Sequence, residues 1–324
     1  MRAAWYEKNG PASDVLKVGE IADPVAGPGE VRVRLHASGV NPSDVKARAG
    51  SRPIRWPRII PDSDGAGVID QAGAGVDPRR VGERVWVFNG QWDRPLGTSA
   101  QYIALPAPLA VPLPAALSFE HGACLGIPVM TAHRCLFADG PVAGKTVLVT
   151  GGAGVVAHYA IQLAKWAGAR VVTTVSSEAK AAHARAAGAD IVIDYRGEDV
   201  VKRIRATVGG VDRVVDVDFG RNLPVTVEVL NPFAAITCYA SMSVREPPFP
   251  YDKLLRLNVS VRPVFVYTMP DAAKAQAHAD IARWLAQGNP VFAIAARFPL
   301  SETVAAHLAV ERGEKIGHVI LAID

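Results

Sequence analysis

A glycine-rich turn between an apolar run and an amphipathic segment, within residues 145–168, most constrains how this chain can fold. The run at residues 147–149 is short and rich in β-branched residues, as expected for a buried parallel strand. Apolar residues at helical spacing follow the turn. Between the two lies Gly152-x-Gly154-x-x-Ala157, in which the first glycine makes a tight turn, the second admits a pyrophosphate, and the small third residue allows close helix–strand packing. The segment therefore predicts a dinucleotide site with the phosphates at a helix N-terminus.

The C-terminal part of the chain alternates strand-like and helix-like patterns. Strands are predicted at residues 145–150, 170–175, 190–193, 213–216, 235–239 and 261–266. Helices are predicted to begin near Val155, Ser177, Asp199 and Asn222. Such alternation is typical of a doubly wound parallel sheet, which binds its cofactor at the carboxyl ends of the strands.

The N-terminal part reads as all-β, with Gly- and Pro-rich turns and strict period-two alternation at residues 31–36. This pattern predicts a small closed or partly closed barrel. A short helix is expected to open after Asn41 and to end at Gly50, and one helical stretch is expected from Ser118 to Leu136. The remaining predictions are helices at 271–287 and 301–312 and strands at 295–298 and 318–323. At 324 residues, the chain is long enough for two domains.

Composition indicates an ordinary globular protein, with 49% hydrophobic and 20% charged residues and a net charge of +4. No apolar run is long enough for a membrane span, the first residues lack the apolar core of a signal peptide, and the three cysteines fit a reducing cytoplasm. We therefore expect a cytoplasmic protein. The densest cationic group is interrupted by prolines and favours a solvated loop, or one facing an anionic ligand, over a nucleic-acid arm. It consists of Arg48, Arg52, Arg55 and Arg58 around Trp56.

The end of the second predicted parallel strand bears on which dinucleotide binds. An NAD site calls for Asp or Glu there, whereas this strand ends in Thr-Val-Ser-Ser with no acid. The hydroxyls of Ser176 and Ser177 and the cation of Lys180 can hold a 2′-phosphate, so we expect NADP(H). In the alternative, the serines only cap a helix and Lys180 lies on a solvated face.

Motifs along nearly the whole chain resemble those of the zeta-crystallin-like quinone oxidoreductases, in the zinc-free branch of the medium-chain dehydrogenase/reductase superfamily. These motifs are Gly39-Val40-Asn41-Pro42-x-Asp44, Gly122-Ala123-Cys124-Leu125-Gly126-Ile127-Pro128-x-x-Thr131-Ala132, the glycine fingerprint, Phe265-Val266-Tyr267, and Ala306-His307-x-x-x-Glu311-x-Gly313-x-x-x-Gly317-His318-Val319-Ile320-Leu321. The resemblance implies an α/β protein with a GroES-like β-barrel catalytic domain (residues 1–121 and 269–324), a Rossmann doubly wound parallel-sheet domain (residues 122–268), NADP(H) and a homodimer.

The resemblance also implies roles for individual residues. Asn41 and Asp44 are the catalytic candidates, with Asn41 beside the nicotinamide and its ribose, although a turn role for Asn41 and a helix N-cap role for Asp44 stay open. The other cofactor-binding candidates are Thr131, Gly152, Ala153, Gly154, Val155, Val156, Ser176, Ser177, Lys180, Tyr195, Ala240, Ser241, Phe265, Val266, Tyr267 and His318. Trp56 and Trp92 are candidates for the acceptor pocket or for local packing.

Asn41, the Ser63-Asp64 pair and His318 depart from relatives in the superfamily. Zinc alcohol dehydrogenases place a cysteine at the position of Asn41 and a His-Glu pair at Ser63-Asp64, so we expect no metal. The remaining candidate ligands, His121, Cys124, His133 and Cys135, are better explained as packed core residues. His318 stands where relatives usually carry a lysine facing the pyrophosphate. NADPH affinity should then fall more steeply between about pH 6 and 8 than in a His318→Lys variant.

These expectations define a leading function and two alternatives. The leading one is NADPH-dependent reduction of a quinone, an acceptor that stabilises the incoming hydride without a metal or a dedicated acid. The second is reduction of an α,β-unsaturated carbonyl, which needs a proton donor such as Tyr6 or a water molecule. The third is an NADPH-binding protein with little activity, either RNA-binding or crystallin-like, which the dispersed charge disfavours. The role of the acid Asp218, near the end of a predicted strand, stays open between a ribose contact and a solvated position.

Overall fold

The computed structural model describes residues 1–313 and 315–324. The chain forms two compact units. Unit 1 comprises Met1–Ile127 and Phe292–Asp324, and unit 2 comprises Pro128–Val291. Helix 271–287 belongs to unit 2, where Asp280 contacts His133 and Trp284 packs edge-on against Tyr159. The domain limits that the family resemblance implies, after residues 121 and 268, lie earlier in the chain than the limits of these two units. Those domain limits remain a prediction.

Strands and helices follow in chain order. The strands are β1 (Arg2–Trp5), β2 (Lys17–Glu20), β3 (Glu30–Val40), β4 (Asp64–Ala72), β5 (Arg84–Val87), β6 (Tyr102–Pro106), β7 (Ala110–Pro112), β8 (Thr146–Val149), β9 (Arg170–Val175), β10 (Ile191–Asp194), β11 (Val211–Asp216), β12 (Leu230–Cys238), β13 (Ser260–Pro263), β14 (Ile294–Pro299) and β15 (His318–Ala322). The helices are α1 (Ala12–Val15), α2 (Pro42–Lys46), α3 (Phe119–Gly122), α4 (Gly126–Phe137), α5 (Val155–Trp166), α6 (Glu178–Ala186), α7 (Val200–Val208), α8 (Phe219–Thr226), α9 (Tyr251–Arg256), α10 (Asp271–Gln287) and α11 (Thr303–Arg312).

Unit 2 contains a parallel sheet of six strands, which confirms the doubly wound prediction. The strand order is β10-β9-β8-β11-β12-β13, so the chain starts at the centre of the sheet, builds one half and then crosses to the other. Apolar residues of β8, β9 and β11 are fully buried because helices cover both faces of such a sheet. This order creates a switch point next to β8, where a nucleotide binds in folds of this type.

Unit 1 is built mainly from antiparallel strands. One sheet follows the order β14-β15-β3-β4-β5-β7, with β6 also paired to β3, and β14 runs parallel to β15. β1 and β2 form a separate antiparallel pair. The alternation predicted for residues 31–36 is realised, because Val31, Val33 and Leu35 of β3 are buried in the core of this unit.

The helical stretch after Ser118 differs from the prediction of one continuous helix. Ser118 caps α3, accepting the N–H of His121, but α3 ends at Gly122 and α4 begins only at Gly126. The reason is a long-range cap: both carboxylate oxygens of Asp64 accept the N–H of Ile127, at 2.8 and 2.9 Å. A side chain from β4 therefore satisfies a donor at the start of a new helix.

Candidate active site

The glycine fingerprint forms the tight turn after β8 in unit 2. Gly151 has φ of +66°, in the left-handed region that favours glycine, and the N–H of Gly152 donates to the carbonyl of Thr174 at 2.9 Å. A Cβ on Gly152 would lie 2.2 Å from the Oγ1 of Thr173, which leaves no room for a side chain. The first glycine of the motif is therefore needed to bring the turn against β9.

Helix α5 begins directly after this turn and offers free donors. Gly154 is its N-cap residue, and among the described residues no side chain caps this helix end. The first α-helical bond runs from the N–H of His158 to the carbonyl of Gly154, so the N–H groups of residues 155–157 precede the helical ladder. An uncapped N-terminus of a twelve-residue helix suits a diphosphate, and the residues present fit a bound dinucleotide.

Ser176, Ser177, Lys180 and Tyr195 come together at the carboxyl ends of β9 and β10. Ser177 caps α6 by accepting the N–H of Lys180 at 3.4 Å, so the capping alternative holds for this serine. The Nζ of Lys180 donates to the Oγ of Ser176 at 3.0 Å. Tyr195 donates its backbone N–H to the carbonyl of Val175 at 3.1 Å, and its ring is about half exposed. At the end of β9, where an Asp or Glu would favour NAD, this chain therefore has hydroxyl groups and a lysine.

The remaining candidates of unit 2 follow the carboxyl ends of β12 and β13, apart from Thr131, which is buried in α4. Ser241 accepts the N–H of Gly220 at 3.0 Å, and the carbonyl of Ala240 accepts the N–H of Phe219. Residues 265–267 lie just beyond β13, where Val266 and Tyr267 are buried and Phe265 is exposed. These residues therefore belong to the edge of the sheet that also carries the glycine turn.

Asp218 holds the loop after β12. Its Oδ1 accepts the N–H groups of Met242 at 2.9 Å and of Ser243 at 3.2 Å, and the hydroxyl of Ser243 donates to its Oδ2. Asp218, for which the sequence allowed either a ribose contact or a solvated position, thus fixes a loop at the carboxyl edge of the sheet.

In unit 1, Asp44 belongs to a buried acidic cluster, which we define as Asp44, Asp62, Asp64 and His307, and Asn41 is hydrogen-bonded to two of its members. The backbone N–H of Asn41 donates to Asp44 at 2.9 Å, and its side-chain amide donates to Asp64 at 2.7 Å. The hydroxyl of Ser63 donates to the other oxygen of Asp44 at 3.0 Å. Asn41 is itself the N-cap residue of α2, and Asp44 is the third residue of that helix. The prediction of Asp44 as the N-cap is therefore wrong, because Asn41 starts the helix and Asp44 accepts its backbone N–H.

Burial dominates the electrostatics of this cluster. It raises the pKa of Asp44 to about 7, with the neighbouring Asp62 as the next cause and a partly opposing effect of hydrogen bonds. It also raises the pKa of Asp64 well above its ordinary value, and Asp44 adds to that rise. Buried carboxylates at short range compete for charge, so Asp44 and Asp64 bind their protons more tightly than exposed aspartates do.

The sequence reasoning missed Asp62 and His307 as partners of the candidate residues. The Nε2 of His307 lies 3.3 Å from the Oδ1 of Asp62, and Ser99 donates to the other oxygen of that carboxylate. The available signal was two acids flanking Ser63 at the start of β4. No local sequence pattern connects His307, in α11, with that segment.

Next to the cluster, unit 1 has a cavity of about 260 Å³ whose lining includes Tyr6, Trp56 and Trp92. Arg52, from the Arg-rich loop, also lines this cavity. Its guanidinium lies 4.7 Å from the ring centroid of Trp92. Both tryptophans therefore line a pocket, and Trp56 also packs against the core around Ile59. Binding of the acceptor in this pocket stays a prediction, and the loop of cations contributes to its wall.

Comparison with known proteins identifies the family. Residues 27–115 match the model described as the alcohol dehydrogenase GroES-like domain, and residues 155–283 match the one described as zinc-binding dehydrogenase. A 2-haloacrylate reductase from Burkholderia sp is 30% identical over 99% of this chain and 98% of its own. A quinone oxidoreductase from Homo sapiens is 30% identical over 98% and 96%. A mycobacterial protein solved in complex with NADPH has a TM-score of 0.86 and 28% identity, covering 99% of this chain and 100% of its own.

The chain belongs to the medium-chain dehydrogenase/reductase superfamily. Its relatives named quinone oxidoreductase and 2-haloacrylate reductase confirm the predicted resemblance to the quinone-oxidoreductase-like members. This medium-chain dehydrogenase/reductase is an oxidoreductase with a GroES-like domain and a Rossmann-like parallel sheet, as predicted.

The four candidate metal ligands of this medium-chain dehydrogenase/reductase each have other contacts. His121 stacks on Phe292 with ring centroids 4.5 Å apart, and Cys124 donates to a helix carbonyl at 3.3 Å. His133 lies 2.9 Å from Asp280, and burial raises the pKa of the Cys135 thiol to about 12. Within residues 1–313 and 315–324, no three His, Cys, Asp or Glu side chains are grouped as metal ligands.

His318 starts β15, is buried, and donates its backbone N–H to the carbonyl of Ala293 at 2.7 Å. In the described part of this medium-chain dehydrogenase/reductase, no helix combines the length and the apolar character that crossing a bilayer requires.

Proposed function

We propose that this oxidoreductase uses NADPH to reduce a quinone or a similarly electron-poor acceptor and needs no zinc. The observation that carries the proposal is the uncapped N-terminus of α5 after the glycine turn, combined with Ser176 and Lys180 at the end of β9. The first feature suits a diphosphate and the second a 2′-phosphate. When bound, the nicotinamide supplies the hydride.

The preference for NADPH rests on charge. Lys180 already donates to the Oγ of Ser176, so an anion placed between them would receive a charge-assisted hydrogen bond as well as a hydroxyl. Tyr195 is attached through its backbone to the end of the same strand. The solved relative with NADPH supports the same choice.

The other assigned residues have proposed roles at the nicotinamide and the diphosphate. Gly152, Ala153, Gly154, Val155 and Val156 bind the diphosphate through their backbone. Thr131 and residues 265–267 contact the carboxamide, Ala240 and Ser241 line the nicotinamide, and His318 faces the pyrophosphate. Asn41 orients the nicotinamide ribose, and Asp44 fixes Asn41 through the 2.9 Å bond to its N–H.

Independence from zinc is supported by the donor set. Asn41 is engaged by Asp44 and Asp64, and the position next to Asp64 is a serine whose hydroxyl binds Asp44. An amide and a serine are poor zinc ligands compared with thiolate and imidazole. A quinone needs no Lewis acid, because its own conjugation takes up the charge of the added hydride.

Reduction of an α,β-unsaturated carbonyl is the second candidate function. It is favoured by a phenol hydroxyl, Tyr6, among the residues lining the cavity, since this reaction needs a proton donor. The relative named 2-haloacrylate reductase supports it as well. The binding-protein alternative would require that no acceptor be turned over.

We also propose a homodimer, formed along the edge strand β13. Phe249, Tyr251, Leu255 and Phe265, in the segments that border this strand, are each more than half exposed. Apolar side chains beside an unshared sheet edge favour association with a second copy.

Binding and turnover test the proposal together. Purified protein should saturate with NADPH in fluorescence and calorimetric titrations, reduce a small quinone, prefer NADPH to NADH, and contain no stoichiometric zinc by elemental analysis. A Lys180→Ala variant should weaken NADPH binding on the order of tenfold, or about 1.4 kcal/mol, and leave NADH unchanged. Lys202→Ala, at an exposed lysine of α7, is the matched control. Equal use of both nucleotides would contradict the NADPH assignment, and absence of any nucleotide binding would overturn the function.

A further inference from the structure

The cavity of unit 1 has a wall made largely of rings and apolar side chains. Its lining includes the phenol of Tyr6, the indoles of Trp56 and Trp92, and the side chains of Pro53 and Ile59. Tyr6 and Ile59 are buried in one apolar cluster, against which Trp56 packs. Rings held in this way lose little further freedom when a ligand binds and offer their aromatic surface to it. The wall therefore favours a planar, conjugated ligand over a flexible one.

The volume of the cavity limits the size of that ligand. It measures about 260 Å³. A cavity of about 150 Å³ lined by apolar side chains is enough to hold benzene, so the cavity of unit 1 admits one ring with its substituents.

The charged side chains of the lining leave one positive charge in excess. They are two guanidinium groups and one carboxylate, those of Arg52, Arg55 and Asp93. Arg55 and Asp93 form an ion pair at 2.8 Å, and both side chains are more than half exposed, so their charges largely cancel at the rim. The excess charge therefore belongs to Arg52, and a ligand with one negative charge would balance it.

Arg52 is held in an orientation that suits a carboxylate. Its guanidinium lies over the ring of Trp92, 4.7 Å from the centroid. A guanidinium stacked on an aromatic ring directs its N–H groups within its own plane, where a carboxylate accepts two of them side by side. The hydroxyl of Ser51 lines the same cavity and adds a further donor.

The acids behind the wall determine which end of the ligand lies inward. Burial is the main cause that raises the pKa of Tyr6 to about 12, Asp44 and Asp62 raise it further, and Arg52 and Arg48 oppose them. The charge of the two acids therefore reaches the buried side of the cavity and repels an anionic group there. The ring of the ligand lies inward against Tyr6, and its anionic group lies outward beside Arg52.

We propose that this cavity binds an aromatic carboxylate of one ring, with Arg52 selecting the negative charge and the two tryptophans contacting the ring. A phosphate monoester fits less well, because its charge of about −1.5 to −2 exceeds the single positive charge of the lining. The inference concerns binding within unit 1 and goes beyond the proposed function. It includes no transfer from the nucleotide.

The test is a calorimetric titration of the full-length protein, without nucleotide, by three ring compounds. Benzoate should saturate the wild type with a dissociation constant below about 1 mM. Benzamide, which has the same shape without the charge, should bind at least about tenfold more weakly, because it forms no charge-assisted hydrogen bond with a guanidinium. Cyclohexanecarboxylate, which keeps the charge without the aromatic ring, should bind about fivefold more weakly than benzoate.

A variant of the selecting residue checks the position of the anion. Arg52→Gln should weaken the binding of benzoate at least about tenfold and leave that of benzamide within about twofold. Arg58→Gln is the matched control, because Arg58 belongs to the same Arg-rich loop but its guanidinium lies over the ring of Trp5, at 4.8 Å. This control should bind benzoate as the wild type does, and thermal melting verifies that both variants are folded.

Four results would overturn the inference. They are a wild type that benzoate does not saturate, equal wild-type affinity for benzoate and either analogue, unchanged benzoate affinity in Arg52→Gln, and an equal loss in Arg58→Gln. The first two need no variant, so they decide the question even if Arg52→Gln does not fold. All four leave the proposed function intact, since NADPH binding and quinone reduction test that function. Benzoate binding by a protein that binds no NADPH would instead refute the proposed function and support this inference.

Discussion

The side-chain amide of Asn41 donates to the Oδ2 of Asp64 across 2.7 Å, and both residues are buried. The same carboxylate accepts the N–H of Ile127 and starts α4. Gly126, just before Ile127, makes room for it, since a Cβ there would lie 1.9 Å from the Oδ1 of Asp64. One carboxylate thus connects the catalytic candidate to the start of a helix, and the amide of Asn41 keeps its second oxygen satisfied.

This pair predicts the effect of replacing the amide by an acid. Asn41→Asp would put a second carboxylate at hydrogen-bond distance from Asp64, and the two could remain together only by sharing a proton. The folded-state pKa of the pair would be raised, so its contribution to stability would be kept at low pH and lost as the pH rises. The melting temperature of Asn41→Asp should therefore fall from about pH 5 to pH 8 more steeply than that of the wild type. Asn41→Ala adds no charge but removes the amide hydrogen bond that lowers the pKa of Asp64, so its curve should steepen less than that of Asn41→Asp. Parallel curves for all three proteins would disprove the shared-proton account.

Asp44 predicts a pH dependence of the wild type itself. Its pKa is about 7 in the folded protein against an ordinary value near 3.8, because burial disfavours the charged form and Asp62 lies close by. A carboxyl that binds its proton more tightly when folded contributes stability below about pH 4, and this contribution is lost as the pH rises towards about 7. Urea unfolding of Asp44→Asn should show a smaller loss of unfolding free energy over that interval than the wild type. Asp14→Asn, at an exposed site outside the cluster, is the control, and an unchanged slope in Asp44→Asn would refute the assignment.

The sequence predicted the parallel sheet and the glycine turn of unit 2 because the signals for each element lie close to it in the chain. The glycine turn, the caps Ser177 and Asp199 and the apolar strands lie within a few residues of the elements they define, and the structure places them as predicted. α8 begins at Phe219 rather than near Asn222, since Asp218 is held by the loop that follows β12.

Long-range contacts explain what the sequence could not predict. The break between α3 and α4 depends on Asp64, which lies 63 residues before Ile127. Likewise, the acidic cluster joins residues before β4 to His307 in α11, and no period or spacing links them. Periodicity describes which face of an element is buried, but it carries no information on which distant side chain meets that face.

The two glycines of the fingerprint should separate folding from nucleotide binding. A Cβ at Gly152 would lie 2.2 Å from Thr173, whereas a Cβ at Gly154 would have its nearest neighbour, the carbonyl oxygen of Gly151, at 3.4 Å. Gly152→Ala should therefore lower the free energy of unfolding by about 1–3 kcal/mol, as overpacking does. Gly154→Ala should melt close to wild type but bind NADPH at least about tenfold more weakly, because its methyl group lies where the diphosphate approaches the helix. Thermal unfolding and NADPH titration check both variants, and normal NADPH affinity in Gly154→Ala would exclude this turn as the phosphate site.

The edge of the parallel sheet predicts the assembly state. β13 is the last strand on its side, and Leu255, in the helix just before it, is 55% exposed. If a second copy covers this region, a charge at Leu255 would be desolvated in the dimer without a partner, which opposes association. Leu255→Asp should then shift the sedimentation velocity profile from dimer towards monomer at micromolar concentration while the melting of each subunit stays cooperative. Val25→Asp is the matched control, because Val25 is exposed and belongs to unit 1, whereas β13 belongs to unit 2. A wild type that sediments as a monomer would refute the dimer. A Leu255→Asp variant that remains dimeric would show that the interface does not include Leu255.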